Sequence, residues 1–326
     1  MECFRQSSLE KFEQIGRLFE LLNATMIKNK RGDDNLTSSS HQNYYKLQKQ
    51  QQGTMKYVIK ADGTRVPFDP ERVVRTCMNV GVDQEHAETI AAEVEAAIDE
   101  ETESKQVYDV VLDLLEGYHP KPHANYKLRE AVAAIEPHLF EQYVAKVLEM
   151  HGYSCITNQL IPGAAVTHEV DVIAKKNNTT WMVECKHHSD YHTMTGLDKT
   201  LIVQARLEDL QDGFKKKTHP YNFSQGWLIN NTKYSFHAKQ YAAAKNILLS
   251  GWHFQEENSF AELIQAKNIH PITVLNASPQ TISMLFQKGI LTLHDVAASR
   301  KQLQPILNPK EFSKIYEQVG HILNGL

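Results

Sequence analysis

The chain has 326 residues, 41% of them hydrophobic and 23% charged, with a formal net charge of −4. That length gives room for more than one core, and no run of about eighteen apolar residues is present, which excludes a helical membrane span. Cys3, Cys77, Cys155 and Cys185 are scattered without C-x-x-C spacing, which excludes a disulfide framework and a structural zinc site; together with residues 1–30, which lack the pattern of a secretory leader, this points to a cytoplasmic protein without a membrane partner.

Charge is uneven along the chain. Residues 55–137 carry 9 basic and 17 acidic side chains, 138–270 carry 13 of each, and 271–326 carry 5 and 3. Any contact with a nucleic-acid backbone is therefore expected beyond residue 137, where repulsion is absent.

In chain order, Leu9, Phe12, Ile15, Leu18, Phe19 and Leu22 recur at helical spacing and are followed by a polar stretch, so residues 1–54 read as a helical extension and linker. Residues 56–60 and 64–68 flank Asp62-Gly63, a pair that predicts a hairpin closed by a type I′ turn. Asp69-Pro70 is an N-cap followed by proline at the first helical position, and further helices are expected at about 84–99 and 104–117. Glu136-Pro137 marks a boundary, after which Phe140, Tyr143, Val144, Val147 and Leu148 form a helical stripe.

Short apolar runs at 153–160, 167–174 and 180–186 read as three consecutive strands separated by turn clusters. A helix at about 197–213, a strand at 226–229, an alanine-rich helix at about 235–249 and a strand near 251–254 follow, which predicts a mixed sheet covered by helices. Helical patterns at about 278–287, 292–298, 301–306 and 310–323 complete the chain.

Within this frame, Asp171 places a carboxylate in an apolar strand, and Glu184 repeats the anomaly thirteen residues later, with Lys186 on the same strand face. If the two strands pair through the turn at 175–179, Asp171 lies close to Glu184. Two carboxylates with the backbone carbonyl of Cys185 make an oxygen-rich site suited to Mg²⁺ or Mn²⁺. Lys186 would balance charge growing on a phosphate and orient, or help deprotonate, an attacking water. A pair of solvent-facing edge-strand acids, one bridged to Lys186, is the structural alternative.

These residues, D-x(12)-E-x-K preceded by a helix containing Phe140-Glu141, resemble the PD-(D/E)XK nuclease superfamily and its Mrr-like restriction endonuclease branch over about 120 residues. The resemblance implies a restriction-endonuclease-like α/β fold. It gives acidic and lysine roles to Asp171, Glu184 and Lys186, a supporting role to Glu141, and a place near the active site to Gln204. His168-Glu169 stand where many members have a glycine-rich lead.

His187, His188 and His192 follow the motif and read as surface or supporting groups, or as ligands of a soft metal. Lys215, Lys216 and Lys217 read as a solvated helix end or as a contact to phosphates, and residues 230–235 as a turn with an N-cap or as lining of the site.

The segment V-I-K-x-D-G-x(4)-F-x-x-x-R-V, with Asn125-Tyr126-Lys127-Leu128-Arg129 later, resembles the ATP-cone domain. By that resemblance Val58, Lys60, Arg72 and Lys127 would line an ATP or dATP site. Arg75 joins them as a further cation able to meet a triphosphate. Ala61 departs from the family's usual basic pair, and no G-x(4)-G-K-[ST] loop is present, so sensing rather than hydrolysis is implied. Residues 271–326 look like a helix-hairpin-helix-type region, with Lys288, Gly289 and Ile290 at the hairpin; DNA contact and plain helical packing explain it equally.

The expected architecture is therefore an extension (1–54), an ATP-cone domain (55–137), a Mrr-like nuclease domain (138–270) and a helical accessory region (271–326). The expected function is nucleotide-regulated, Mg²⁺-dependent cleavage of DNA, in defence or repair, by a homo-oligomer such as a dimer or tetramer. Cleavage of RNA, or a silent nucleic-acid-binding role, are the alternatives.

Overall fold

The computed structural model describes residues 55–252 and 259–324; the extension expected at 1–54 lies outside them. The chain first forms a small three-stranded sheet of β1 (Tyr57–Ile59), β2 (Arg65–Pro67) and β3 (Glu101–Glu103), in the order β2-β1-β3. β1 pairs antiparallel with β2 and parallel with β3. The hairpin closes differently from expectation. The Gly63 N–H bonds the Lys60 carbonyl at 2.8 Å, the Lys60 N–H bonds the Thr64 carbonyl at 2.9 Å, and Gly63 alone of the turn takes positive φ, at 80°. This is a three-residue loop with a glycine bulge rather than a type I′ turn, because Asp62 keeps negative φ and uses Oδ1 to accept the Thr64 N–H at 2.9 Å.

Four helices pack around this sheet: α1 (Pro70–Asn79), α2 (Gln84–Ala97), α3 (Ser104–Tyr118) and α4 (Pro120–Ala133). Asp69 caps α1 as its sequence position implies, accepting the Arg72 N–H. The core here is Val73, Cys77, Ile90, Val94, Val111 and Leu115 with their neighbours. α4 is different, since Ala124, Leu128, Ala131 and Val132 join the core of the following elements instead.

The larger sheet follows α5 (Pro137–Met150). β4 (Ser154–Pro162), β5 (Thr167–Lys176) and β6 (Thr179–Lys186) form an antiparallel meander. β7 (Met194–Thr195), α6 (Leu197–Lys215), β8 (Gln225–Asn230), β9 (Lys233–Tyr234), α7 (Phe236–Lys245) and β10 (Leu248–Ser250) complete it. β8 pairs parallel with β6, and β10 parallel with β8, giving the order β10-β8-β6-β5-β4; β7 and β9 form a separate two-stranded ladder.

Period-two alternation assigns the faces of this mixed α/β sheet. Val172, Ala174, Val183, Cys185, Trp227 and Ile229 pack toward α5, and Ile173, Met182, Leu228 and Leu249 toward α6 and α7. Burial on both faces explains why the central strands read as nearly continuous apolar runs.

Two sequence expectations shift here. The alanine-rich helix stops at Lys245 because Asn246 adopts a left-handed cap (φ 54°), and the last strand is 248–250; the expected 251–254 strand is absent at 251–252, and its remainder lies outside the described residues. β3 and α4 had no counterpart in the sequence reading.

The C-terminal region contains α8 (Phe260–Ala266), a 3-10 turn (Ile272–Val274), α9 (Pro279–Gln287), α10 (Leu293–Ala298), α11 (Arg300–Leu303) and α12 (Pro309–Asn324). Gly289 follows α9 with φ 72°, which only a residue without Cβ adopts cheaply. Ile269, Ile272, Leu285, Leu293, Val296 and Ile315 share one core with α4 and α5, and the described residues from Tyr57 onward form one compact unit. Among the described residues no helix is long and apolar enough to cross a membrane.

Candidate active site

Pairing of β5 with β6 runs from Lys176↔Thr179 down to Val172↔Val183 and stops there. Directly beyond the last pair stand Asp171 and Glu184. Asp171 Oδ2 accepts the N–H of Cys185 at 2.7 Å, so a side-chain carboxylate takes over an acceptor position on the strand. In an extended strand the N–H and C=O of one residue point to the same side, so the Cys185 carbonyl also opens toward Asp171. On β4 the register position opposite Asp171 is Asn158, which adopts φ 53° between the pairs Thr157↔Val172 and Gln159↔Val170.

Glu184 is almost fully buried and doubly paired: Lys186 Nζ lies 2.7 Å from Oε1, and Arg206 Nη1 lies 2.7 Å from Oε2. Burial, and then the neighbouring Glu184 carboxylate, push the Asp171 carboxyl up to about 7. Glu141, on α5, is also raised, by burial and by the Glu169 carboxylate, against a smaller lowering from the nearby Lys186 ammonium. Burial works against charge on Lys186, but the Glu184 carboxylate outweighs it and holds the ammonium above its ordinary range.

Asp171, Glu184 and Lys186 are therefore brought together, and Glu141 lies near enough to act on Asp171 through its charge without joining the two acids as a third ligand. Gln204 makes no hydrogen bond to them among the described residues: its Nε2 donates to Glu208 on its own helix at 2.7 Å, and its Oε1 is buried without a partner. The helical residue that reaches Glu184 is Arg206, which the sequence reading did not single out. Its position beside the stripe Val203, Leu207, Leu210, which seats α6 on the sheet, was the available signal.

The residues fit a hard divalent ion. The donors are carboxylate and carbonyl oxygens, and burial followed by the Glu184 carboxylate disfavours charge on Asp171, a penalty that a bound cation would offset. Among the described residues no three His, Cys, Asp or Glu side chains stand together as a ready cage. An ion here would take its remaining positions from the Cys185 carbonyl and from water or substrate, as Mg²⁺ commonly does.

The histidines after the motif position backbone. His187 Nε2 donates to the Val132 carbonyl at 3.2 Å, and the His188 backbone is clamped by Asn231, whose Oδ1 accepts its N–H at 2.8 Å while Nδ2 donates to its carbonyl at 2.7 Å. Burial lowers both His187 and His188. Ser235 caps α7, accepting the Ala238 N–H at 3.2 Å. Lys215 pairs with Asp212 at 2.8 Å at the end of α6, and Thr218 ties that end to the Pro162 carbonyl at 2.7 Å.

Of the nucleotide-site candidates, Val58 lies in β1 between Val66 and Thr102, and Arg75 is bridged to Asp69 (3.3 Å) and Glu71 (3.6 Å). Lys60 and Arg72 are exposed on the hairpin and α1, and Lys127 is half-buried on α4. Asn125, on α4, donates to the Val80 carbonyl (3.0 Å), at the end of α1 opposite to Arg72.

α4 also touches the segment that follows Lys186. Arg129 Nη2 donates to the Tyr191 carbonyl, and its guanidinium lies 5.0 Å from the Tyr191 ring centroid. Lys288 and Gly289 sit at the end of α9, where the Gly289 N–H bonds the Phe286 carbonyl at 2.9 Å.

Residues 132–256 match the model of a restriction endonuclease family, the Mrr catalytic domain, and residues 56–151 match that of the ATP cone domain. An uncharacterized protein of Archaeoglobus fulgidus is 30% identical over 182 residues, which is 55% of this chain and 99% of that protein. The crystal structure of a protein of unknown function is 29% identical, covers 58% of this chain and 99% of its own, and superposes with a TM-score of 0.49.

Proposed function

Because the chain belongs to the Mrr-type restriction-endonuclease family, with an ATP-cone domain ahead of the catalytic domain, we propose that it is a nucleotide-regulated, divalent-metal-dependent DNA endonuclease acting in defence against foreign DNA. One observation carries the catalytic part: Asp171, Glu184 and Lys186 converge where the β5–β6 ladder ends, although the residues around them, Val170, Val172 and Ile173 on β5 and Met182 and Val183 on β6, are apolar.

Asp171, Glu184 and the Cys185 carbonyl would hold the ion, which when bound lowers the pKa of a coordinated water and screens the scissile oxygens. Asp171 must lose its proton first. Lys186 enters as a cation and balances charge on the phosphate rather than serving as a base, since Glu184 keeps it protonated. Glu141, with its raised carboxyl, stands by to hold a proton or a water at the edge of the site.

The regulatory part is supported by α4, which carries the candidate phosphate ligand Lys127 and, two residues on, the contact from Arg129 to Tyr191. Nucleotide occupancy that shifts α4 would act directly on the segment behind the catalytic lysine.

The deciding experiment measures Mg²⁺-dependent cleavage of duplex DNA, single-stranded DNA and RNA, with and without ATP or dATP, for the parent, Asp171→Ala and Lys186→Ala. Cleavage of DNA that both substitutions abolish is the expected result. Cleavage of RNA alone would reassign the substrate, and no cleavage under any condition would leave only a binding role.

A further inference from the structure

The Glu184 carboxylate has two cationic partners where one would neutralise it. It is 4% exposed, while the Lys186 and Arg206 side chains that hold its two oxygens are 34% and 32% exposed. Each oxygen keeps a second lone pair, but a divalent ion placed there would stand beside two cations already held by the same carboxylate, so binding is favoured when one of them leaves. Lys186 sits beside it on the same strand; Arg206 reaches it from α6, and so is the partner whose departure leaves the strand undisturbed.

Arg206 is also equipped to do something else. Both of its hydrogen bonds among the described residues leave from Nη1, one to Glu184 and a longer one, at 3.4 Å, to the Glu169 carbonyl. That leaves the Nε and Nη2 edge of the guanidinium, a planar fork that matches two oxygens of one phosphate.

We propose that Arg206 is a substrate-contacting residue of this site, paired with Glu184 at rest and transferred to a phosphate of the DNA strand when a divalent ion takes the Glu184 oxygens. The proposal rests on the nuclease reading above. The exchange leaves no buried charge alone, because the carboxylate trades one cation for another while the guanidinium trades a carboxylate for a phosphate. It also keeps Glu184 correctly aimed before the metal arrives.

The full-length chain is prepared as the parent, Arg206→Gln and Arg206→Lys, and three quantities are read: Mn²⁺ affinity by titration calorimetry without DNA, single-turnover cleavage of duplex DNA at saturating Mg²⁺, and thermal unfolding. Arg206→Gln is expected to bind Mn²⁺ more tightly, by roughly threefold or more because the competing cation is gone, yet to cleave about a hundredfold more slowly. Arg206→Lys is expected to keep the parental Mn²⁺ affinity and to cleave about tenfold more slowly, since an ammonium lacks the fork. Opposite movement of affinity and rate is something a merely structural arginine would not produce. Arg206→Gln losing both together while still folded, or either variant cleaving at the parental rate, overturns the proposal. Should Arg206→Gln fail to fold, the rate of Arg206→Lys decides. A parent that neither binds Mn²⁺ nor cleaves removes the nuclease reading and this proposal with it, whereas an active parent beside a fully active variant removes this proposal alone.

Discussion

Asp171 Oδ2 accepts a 2.7 Å hydrogen bond from the backbone N–H of Cys185, the residue between Glu184 and Lys186. The bond fixes the aspartate against the strand that carries the other two groups, at the point where main-chain pairing ends. It also commits a buried carboxylate to the neighbourhood of a second one, so the site is organised at a cost in stability.

That cost has a sign. The folded protein retains the Asp171 proton up to about 7, whereas the ordinary value is 3.8. Stability from this group is full below about 4 and is lost as pH rises through about 7. Asp171→Asn, whose amide oxygen still accepts from Cys185, is expected to melt a few degrees above the parent at pH 8 in EDTA, at roughly 2–4 °C per kcal/mol, with the gap closing near pH 4. Unfolding scans of both proteins across that range give the answer, and an asparagine protein no more stable than the parent at pH 8 refutes it.

Removal of a reacting group is expected to cost rate in a chain that still folds. Lys186→Ala and Asp171→Ala should lose on the order of a thousandfold or more in kcat, and the double variant little beyond that, because groups that act together are not additive. Circular dichroism alongside single-turnover cleavage tests this; two losses that multiply would mean independent roles.

The contact of Arg129 with Tyr191 predicts a separation of regulation from chemistry. Arg129→Gln is expected to cleave without nucleotide within a few-fold of the parent, while the change in rate on adding ATP or dATP shrinks by most of its size. Cleavage titrated with nucleotide for both proteins measures it. A fully preserved nucleotide response in the variant would place the coupling elsewhere.

His270 links α4 to the C-terminal helices, donating from Nε2 to Asn125 Oδ1 at 2.8 Å, and burial lowers it from 6.5 to about 4. A histidine kept neutral in the fold contributes stability above about 6.5, and that stability is lost as pH falls toward 4, by up to something on the order of 3 kcal/mol. Because Asp171 slopes the other way over part of this range, the comparison is made with His270→Gln, whose melting temperature should fall less steeply between pH 6.5 and 4. Identical slopes would show that His270 does not carry the effect.

Much of the nuclease fold was legible because its signals are local. Short apolar runs marked the three strands, alternating in burial along β4 and nearly continuous at the centres of β5 and β6, and the turn residues between them, including Asn177 with φ 54°, fixed their separation. Other elements escaped for equally local reasons. β3 is Glu101-Thr102-Glu103, three polar residues that become a strand only because β1 supplies a partner. α4 opens with Pro120 and Pro122, which reads as a break, although proline is well tolerated in a first helical turn. The run of alanines suggested a longer α7 than Asn246 permits.

By itself the sequence determined that two carboxylates and a lysine stand on adjacent strands, since the period of a strand and one short turn leave them few other places to go. Only the tertiary structure decided that Arg206 rather than Gln204 meets Glu184, and that α4 leans on the segment after Lys186 through Arg129. Those relationships depend on the angle and rotation at which a helix crosses a sheet, which are set by packing between residues 22 apart in one case and 62 in the other and which the apolar stripe of a helix does not fix by itself.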